Sequence, residues 1–152
     1  MIISEGDSVL EAEAVKAAAA EIINDIDELD AERIDLETER DHDLDPDDED
    51  YQDDYDKLET KIDDFSQQAE ELREENQDLL EFAECLENWS ITGGLISDDH
   101  FEEYAQDNAG NIYGVDLNEW PFSHINWEAA ADSLRADYSV VTFGDTTYLY
   151  RS

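Results

Sequence analysis

The stretch YQDDYDKLETKIDDFSQQAEELREENQDLLEFAECL, from Tyr51 to Leu86, decides the fold class. Tyr51, Tyr55, Leu58, Ile62, Phe65, Ala69, Leu72, Asn76, Leu79, Ala83 and Leu86 follow one another in alternating steps of four and three. That is the a/d seam of a heptad helix, and only Asn76 interrupts it with a polar side chain of the kind that sets register. Upstream the same alternation links Ala12, Val15, Ala19, Ile22, Ile26, Leu29, Arg33 and Leu36. Ser8-Val-Leu-Glu11 has capping-box spacing and is expected to start that first helix. Asp45-Pro46 is expected to separate the two helices, Asp45 as N-cap and Pro46 as the first helical residue of the second. A short turn between two heptad helices predicts an antiparallel coiled-coil hairpin over residues 1–89, with helices of about 50 and about 60 Å. Leu80 and Phe82 fall off the seam, which predicts that the end of the second helix docks on the C-terminal part of the chain.

Composition changes after Trp89. Eleven of the fifteen aromatic residues lie from Trp89 onward, enough to build a small core. Ile91-Thr-Gly-Gly94 reads as a loop, and Ser97 reads as the cap of a short helix to about Gln106, broken by Asn108-Ala-Gly-Asn111. A further helix is expected from Asn126 to about Ala136. Val140–Phe143 and Thr146–Tyr150, divided by Gly144-Asp145, read as a β-hairpin. The predicted fold is mainly α: a long two-helix coiled-coil hairpin (1–89), then a small aromatic-rich α+β module (90–152) ending in a β-hairpin.

The formal net charge is −37. Residues 1–89 hold 34 acidic side chains against 6 basic ones, a net of −28. A DNA duplex about 50–60 Å long would carry about 30–35 charges, so the linear densities nearly match. Asp56, Asp63, Glu70 and Glu84 share one outward heptad position, flanked by Asp64, Glu71, Glu74, Asp78 and Glu81; Glu13, Glu21, Asp27, Glu28 and Asp35 do the same on the first helix. Carboxylates four residues apart on a helix stand about 6 Å apart, comparable with successive phosphates on a strand. Ordinary coiled coils interleave Lys with Glu at the flanks. Here like charges repeat at a cost of a few tenths of a kcal/mol per pair, which a mere spacer would not need. Asp27, Glu28, Asp35, Asp56, Asp63, Asp64, Glu70, Glu71, Glu74, Asp78 and Glu81 are therefore the expected phosphate mimics. Their partner should be a basic nucleic-acid-binding protein; nucleic acid itself and anionic membranes would be repelled.

Other signals are weaker. Asp41, Asp43 and Asp45 alternate as in an EF-hand loop, but Pro46 stands where that loop needs Gly and Gln52 where it needs Glu, so no metal site is expected. Three scattered histidines suggest no metal centre, and no P-loop, glycine-rich cradle or triad spacing is present. No cofactor and no enzymatic activity are expected. Cys85, the single cysteine, precludes an intrachain disulfide and is expected on the outward side of its helix. The opening Met-Ile-Ile-Ser lacks the features of a signal peptide and no run is long enough to span a membrane, so a cytoplasmic location is expected.

Phe101-Glu-Glu-Tyr-Ala105, Ile125-Asn-Trp-Glu-Ala-Ala-Ala-Asp-Ser-Leu134 and Asp137-Tyr138 resemble the last module of the ArdA-type antirestriction proteins. Those are DNA mimics carried by mobile elements that block type I restriction–modification enzymes. The resemblance covers about a third of the chain. Asn126 replaces that family's usual Asp, Asp132-Ser133 stands where Arg-Asp is usual, and the helical hairpin has no counterpart there. With the charge pattern, the resemblance implies a phage or mobile-element inhibitor acting in the host cytoplasm on a restriction or CRISPR nuclease. The second reading is a structural coiled-coil adaptor that forms a homodimer through the arm or the aromatic module. The exposed pair Ile23 and Ile34 is the sequence hint of a helix–helix interface, and a salt-adapted source is an alternative reason for the acidic surface.

Overall fold

A computed structural model describes residues 6–151 of the protein; the reading of Met1–Ser4 falls outside them. Among the described residues there are five α-helices, α1 (Ala12–Thr38), α2 (Tyr51–Glu75), α3 (Gln77–Asn88), α4 (Phe101–Tyr113) and α5 (Trp127–Arg135). Four strands, β1 (Val9–Glu11), β2 (Gly94–Ser97), β3 (Ser139–Phe143) and β4 (Thr146–Tyr150), form one antiparallel sheet in the order β1-β2-β4-β3. The fold is mainly helical with a small sheet, and no helix is long and apolar enough to cross a membrane.

The chain divides into two compact units, residues 19–77 and residues 6–18 with 78–151. Residues 6–18 and 78–89, assigned by sequence to the hairpin, thus fold with the aromatic-rich part. The cause is pairing and stacking that periodicity does not encode. Val9, Leu10 and Glu11 pair with Ile96, Leu95 and Gly94, so Ser8–Glu11 leads into a strand and does not cap a helix. Tertiary pairing outweighs the local capping preference there.

In the sheet unit the period of two sorts the side chains onto two faces. Leu95 and Tyr148 are fully buried on one face, where Phe82 of α3 lies over Phe143 with ring centroids 4.8 Å apart and planes 3° from parallel. The Tyr148 hydroxyl donates to the Asp7 carbonyl at 2.8 Å. Ile96 and Leu149 face the other way and pack with Phe101 and Ala105 of α4 and Ala131 of α5. The off-seam Phe82 does dock, and Cys85 is half-buried, not outward.

Three further boundaries differ from expectation. Ser97 ends β2, a 3-10 turn spans Asp98–His100, and α4 runs through Asn108-Ala-Gly-Asn111 to Tyr113. It stops at Gly114, whose φ of 62° is the left-handed conformation glycine takes without strain. Asn126 caps α5 by accepting the Ala129 N–H at 3.1 Å, and Gly144 with φ 57° makes the first residue of the β3–β4 turn.

In the other unit α1 passes into a π turn, Glu39–Asp43, and α2 begins at Tyr51 rather than Pro46. The intervening aspartates prefer side-chain turns: Asp45 accepts from the Asp47 N–H and Asp48 from the Asp50 N–H, both at 3.0 Å. Asn76 ends α2; its amide donates to the Leu72 carbonyl at 2.9 Å and its backbone leaves the helical region at φ −113°, ψ 13°. The predicted single second helix is therefore two.

Candidate functional site

Burial along α1, α2 and α3 follows the heptads. Every seam position from Ala12 to Leu36 and from Tyr51 to Leu86 is buried or half-buried. The eleven predicted phosphate-mimic carboxylates are all exposed: Asp27, Glu28 and Asp35 on α1, Asp56, Asp63, Asp64, Glu70, Glu71 and Glu74 on α2, Asp78 and Glu81 on α3. Nine of them belong to the helical unit; Asp78 and Glu81 belong to the sheet unit, where they line an open cleft of about 320 Å³ with Phe82, Thr142 and Gly144.

Three arginines are engaged mainly with other acids. Arg73 reaches from α2 to Asp30 on α1 at 2.6 Å, and Arg33 approaches the same carboxylate at 3.6 Å while holding Glu37 at 3.0 Å. Arg40 holds Asp41 at 2.7 Å and Glu59 of α2 at 3.2 Å, with its guanidinium 5.6 Å from the Tyr55 ring centre. The Asp41 hydrogen bond, ahead of the Coulomb attraction of Asp41 and Glu59, keeps Arg40 protonated beyond the ordinary arginine range; the same hydrogen bond lowers Asp41 below the usual carboxylate range. Glu70 has an arginine beside it, Arg73 at 3.6 Å. Asp63 and Glu70 line an open groove of about 620 Å³ with Asp30, Arg33, Ser66, Gln67 and Arg73.

Neutral amides hold three of the others. Asn24 donates to Glu28 at 3.2 Å, Gln52 to Asp56 at 2.9 Å and Gln67 to Glu71 at 2.8 Å, each from four residues earlier. Such pairs fix a carboxylate's direction and add a few tenths of a kcal/mol of helix stability without cancelling its charge. These three residues were missed in the sequence, although the amide-to-acid spacing of four was there to be read. Asp27, Asp35, Asp63, Asp64, Glu74 and Asp78 make no side-chain hydrogen bond or ion pair among the described residues. The surface can therefore attract ordered cations, and its six unbonded carboxylates have no internal hydrogen bond to break first.

Among the described residues no group of three or more His, Cys, Asp or Glu is placed to hold a metal ion. Comparison with protein-family models, curated proteins and solved structures finds no match.

Proposed function

We propose that the protein is a non-catalytic nucleic-acid mimic that occupies the DNA- or RNA-binding cleft of a host defence nuclease, in the host cytoplasm, on behalf of a phage or mobile element. In this reading α1 pairs with α2 and α3 as an antiparallel coiled coil. The buried heptads support that pairing, as do the cross-links Asp30–Arg73 and Arg40–Glu59, which run in opposite order along the two segments: the later residue of the first meets the earlier residue of the second. The observation that carries the function is the exposure of all eleven carboxylates, six of which make no side-chain hydrogen bond or ion pair among the described residues. They stand in for phosphates against Lys and Arg of the target, which then cannot hold its nucleic acid. Steering by a net charge of −37 makes association fast and salt-sensitive. The likeness of residues 101–138 to antirestriction proteins points to the same class of target.

The test replaces Asp56, Asp63, Glu70 and Glu71 with Asn or Gln in the full chain. Partner capture from host lysate should be lost, as should competition with added DNA or RNA, with an unchanged circular dichroism spectrum. Undiminished, nucleic-acid-sensitive capture by that variant would sink the reading. A second reading, a coiled-coil adaptor, draws on the exposure of Ile23 (49%) and Ile34 (51%) on α1. It requires a dimer in sedimentation velocity that Ile23→Ser with Ile34→Ser dissociates.

A further inference from the structure

Of the nine large apolar side chains that stand exposed among the described residues, four fall between residues 112 and 125: Ile112, Tyr113, Trp120 and Ile125. Trp120 is 79% exposed and Tyr113 75%, so neither is held by the core of the sheet unit. Ile112 and Tyr113 end α4, and the others sit on the connection to α5. That connection, residues 114–126, is longer than the two to eight residues usual between packed helices.

Length alone would suggest slack, but the connection is bonded to itself. The Gly114 N–H donates to the Gly110 carbonyl at 3.0 Å, Asp116 accepts the Asn118 N–H at 2.9 Å, and the Glu119 N–H donates to the Asp116 carbonyl at 3.1 Å. The Ser123 N–H then donates to the Glu119 carbonyl at 2.9 Å. Leu117 folds back onto α4: a Cβ at Gly110 would lie 3.6 Å from its Cδ1. A long surface loop braced by its own backbone hydrogen bonds is a built feature, and this one turns Trp120 outward while Phe122 is half-buried. Trp and Tyr are the residues that most often dominate binding energy at interfaces, because they bring large area with few rotamers to fix.

Charge identifies what covers them. No Lys or Arg occurs between Arg73 and Arg135, while Asp107, Asp116 and Glu119 are exposed on and beside the loop. A second copy would bring the same carboxylates and another −37 of charge, which salt at about 0.1 M screens only beyond about 10 Å. The complement is an apolar pocket framed by cations. We propose that residues 112–125 form an aromatic anchor for a basic protein surface, with Trp120 and Tyr113 entering an apolar pocket and Asp116 and Glu119 meeting Lys or Arg at its rim. The proposal rests on the reading that the partner is basic, and adds that the partner is gripped at this loop through apolar contact.

The test titrates the full chain with two labelled helical peptides of equal length and lysine content, one pairing Lys with Ser and the other placing Leu along one face. The Lys–Leu peptide should bind at least about tenfold tighter, in line with one aromatic hot spot. Trp120→Ala with Tyr113→Ala should erase that preference and leave Lys–Ser binding unchanged. Neutralising Asp56, Asp63, Glu70 and Glu71 should weaken both peptides equally and keep the preference. If neutralisation weakens neither, the carboxylate reading fails while the anchor stands. A preference that survives the double aromatic substitution overturns the anchor. So does a dimer in sedimentation velocity that Trp120→Ala dissociates, which would assign the loop to a second copy.

Discussion

Arg73 and Arg40 show how eight basic residues are deployed among forty-five acidic ones. Each reaches across sequence to another element, Arg73 to Asp30 and Arg40 to Glu59, and leaves the outward rows almost unneutralised. Exposed pairs of this kind are screened by solvent and add little stability, so their position matters more than their energy. In the sheet unit Tyr138 carries the clearest titration signature. Burial, then a hydrogen bond with Tyr104, pushes its phenol up to about 12. A raised folded value means the unfolded chain loses its proton first, so this contribution to stability is whole below about pH 10 and fades between about 10 and 12. Spectrophotometric titration should show late tyrosine ionisation, and Tyr138→Phe should remove the Tyr138 step from it. A step that persists in the variant would reassign it.

Among the elements, β1 and α3 join the sheet unit although in sequence they flank the helical one. Phe82 is 2% exposed and stacked on Phe143. Phe82→Ala should cost about 3–5 kcal/mol in chemical denaturation, the range for emptying a buried aromatic site. Removing residues 1–11 takes away β1 and the acceptor of the Tyr148 hydroxyl. Amide exchange of residues 94–97 should then accelerate, with the β3–β4 pairs less affected; unchanged protection at β2 would mean that β1 is not its edge partner in solution. The seams of α1, α2 and α3 were legible in sequence because burial repeats with the helical period. The strand at Val9–Glu11 was not, since three residues are too few to show a period and their partners lie more than eighty positions away. The helix of Phe101–Tyr113 ran through an Asn-Ala-Gly-Asn sequence read as a break, because packing of Phe101 and Ala105 holds it.

At the scale of the whole molecule, charge sets the response to salt. Self-repulsion at −37 destabilises the folded chain, and screening relieves it. The thermal midpoint should rise with sodium chloride, most steeply below about 0.2 M, where the Debye length is still changing by several ångströms. Replacing Asp56, Asp63, Glu70 and Glu71 with neutral isosteres should raise the midpoint at low salt and flatten that dependence. An unchanged midpoint would show that repulsion among these carboxylates costs the fold nothing. The same substitutions that abolish the proposed inhibition should therefore stabilise the protein, the relation expected of a surface shaped by binding.

The sequence by itself determined which positions of the long helices turn inward and which carboxylates stand exposed, because period and charge are written residue by residue. Tertiary structure decided where α2 yields to α3 and which unit claims each end of the helical stretch. It also decided that Tyr113 and Trp120 face outward. The chief of those outcomes depend on partners distant in the chain: the strand that meets β2 and the ring that meets Phe82. No local pattern encodes such partners, so only the folded chain could name them.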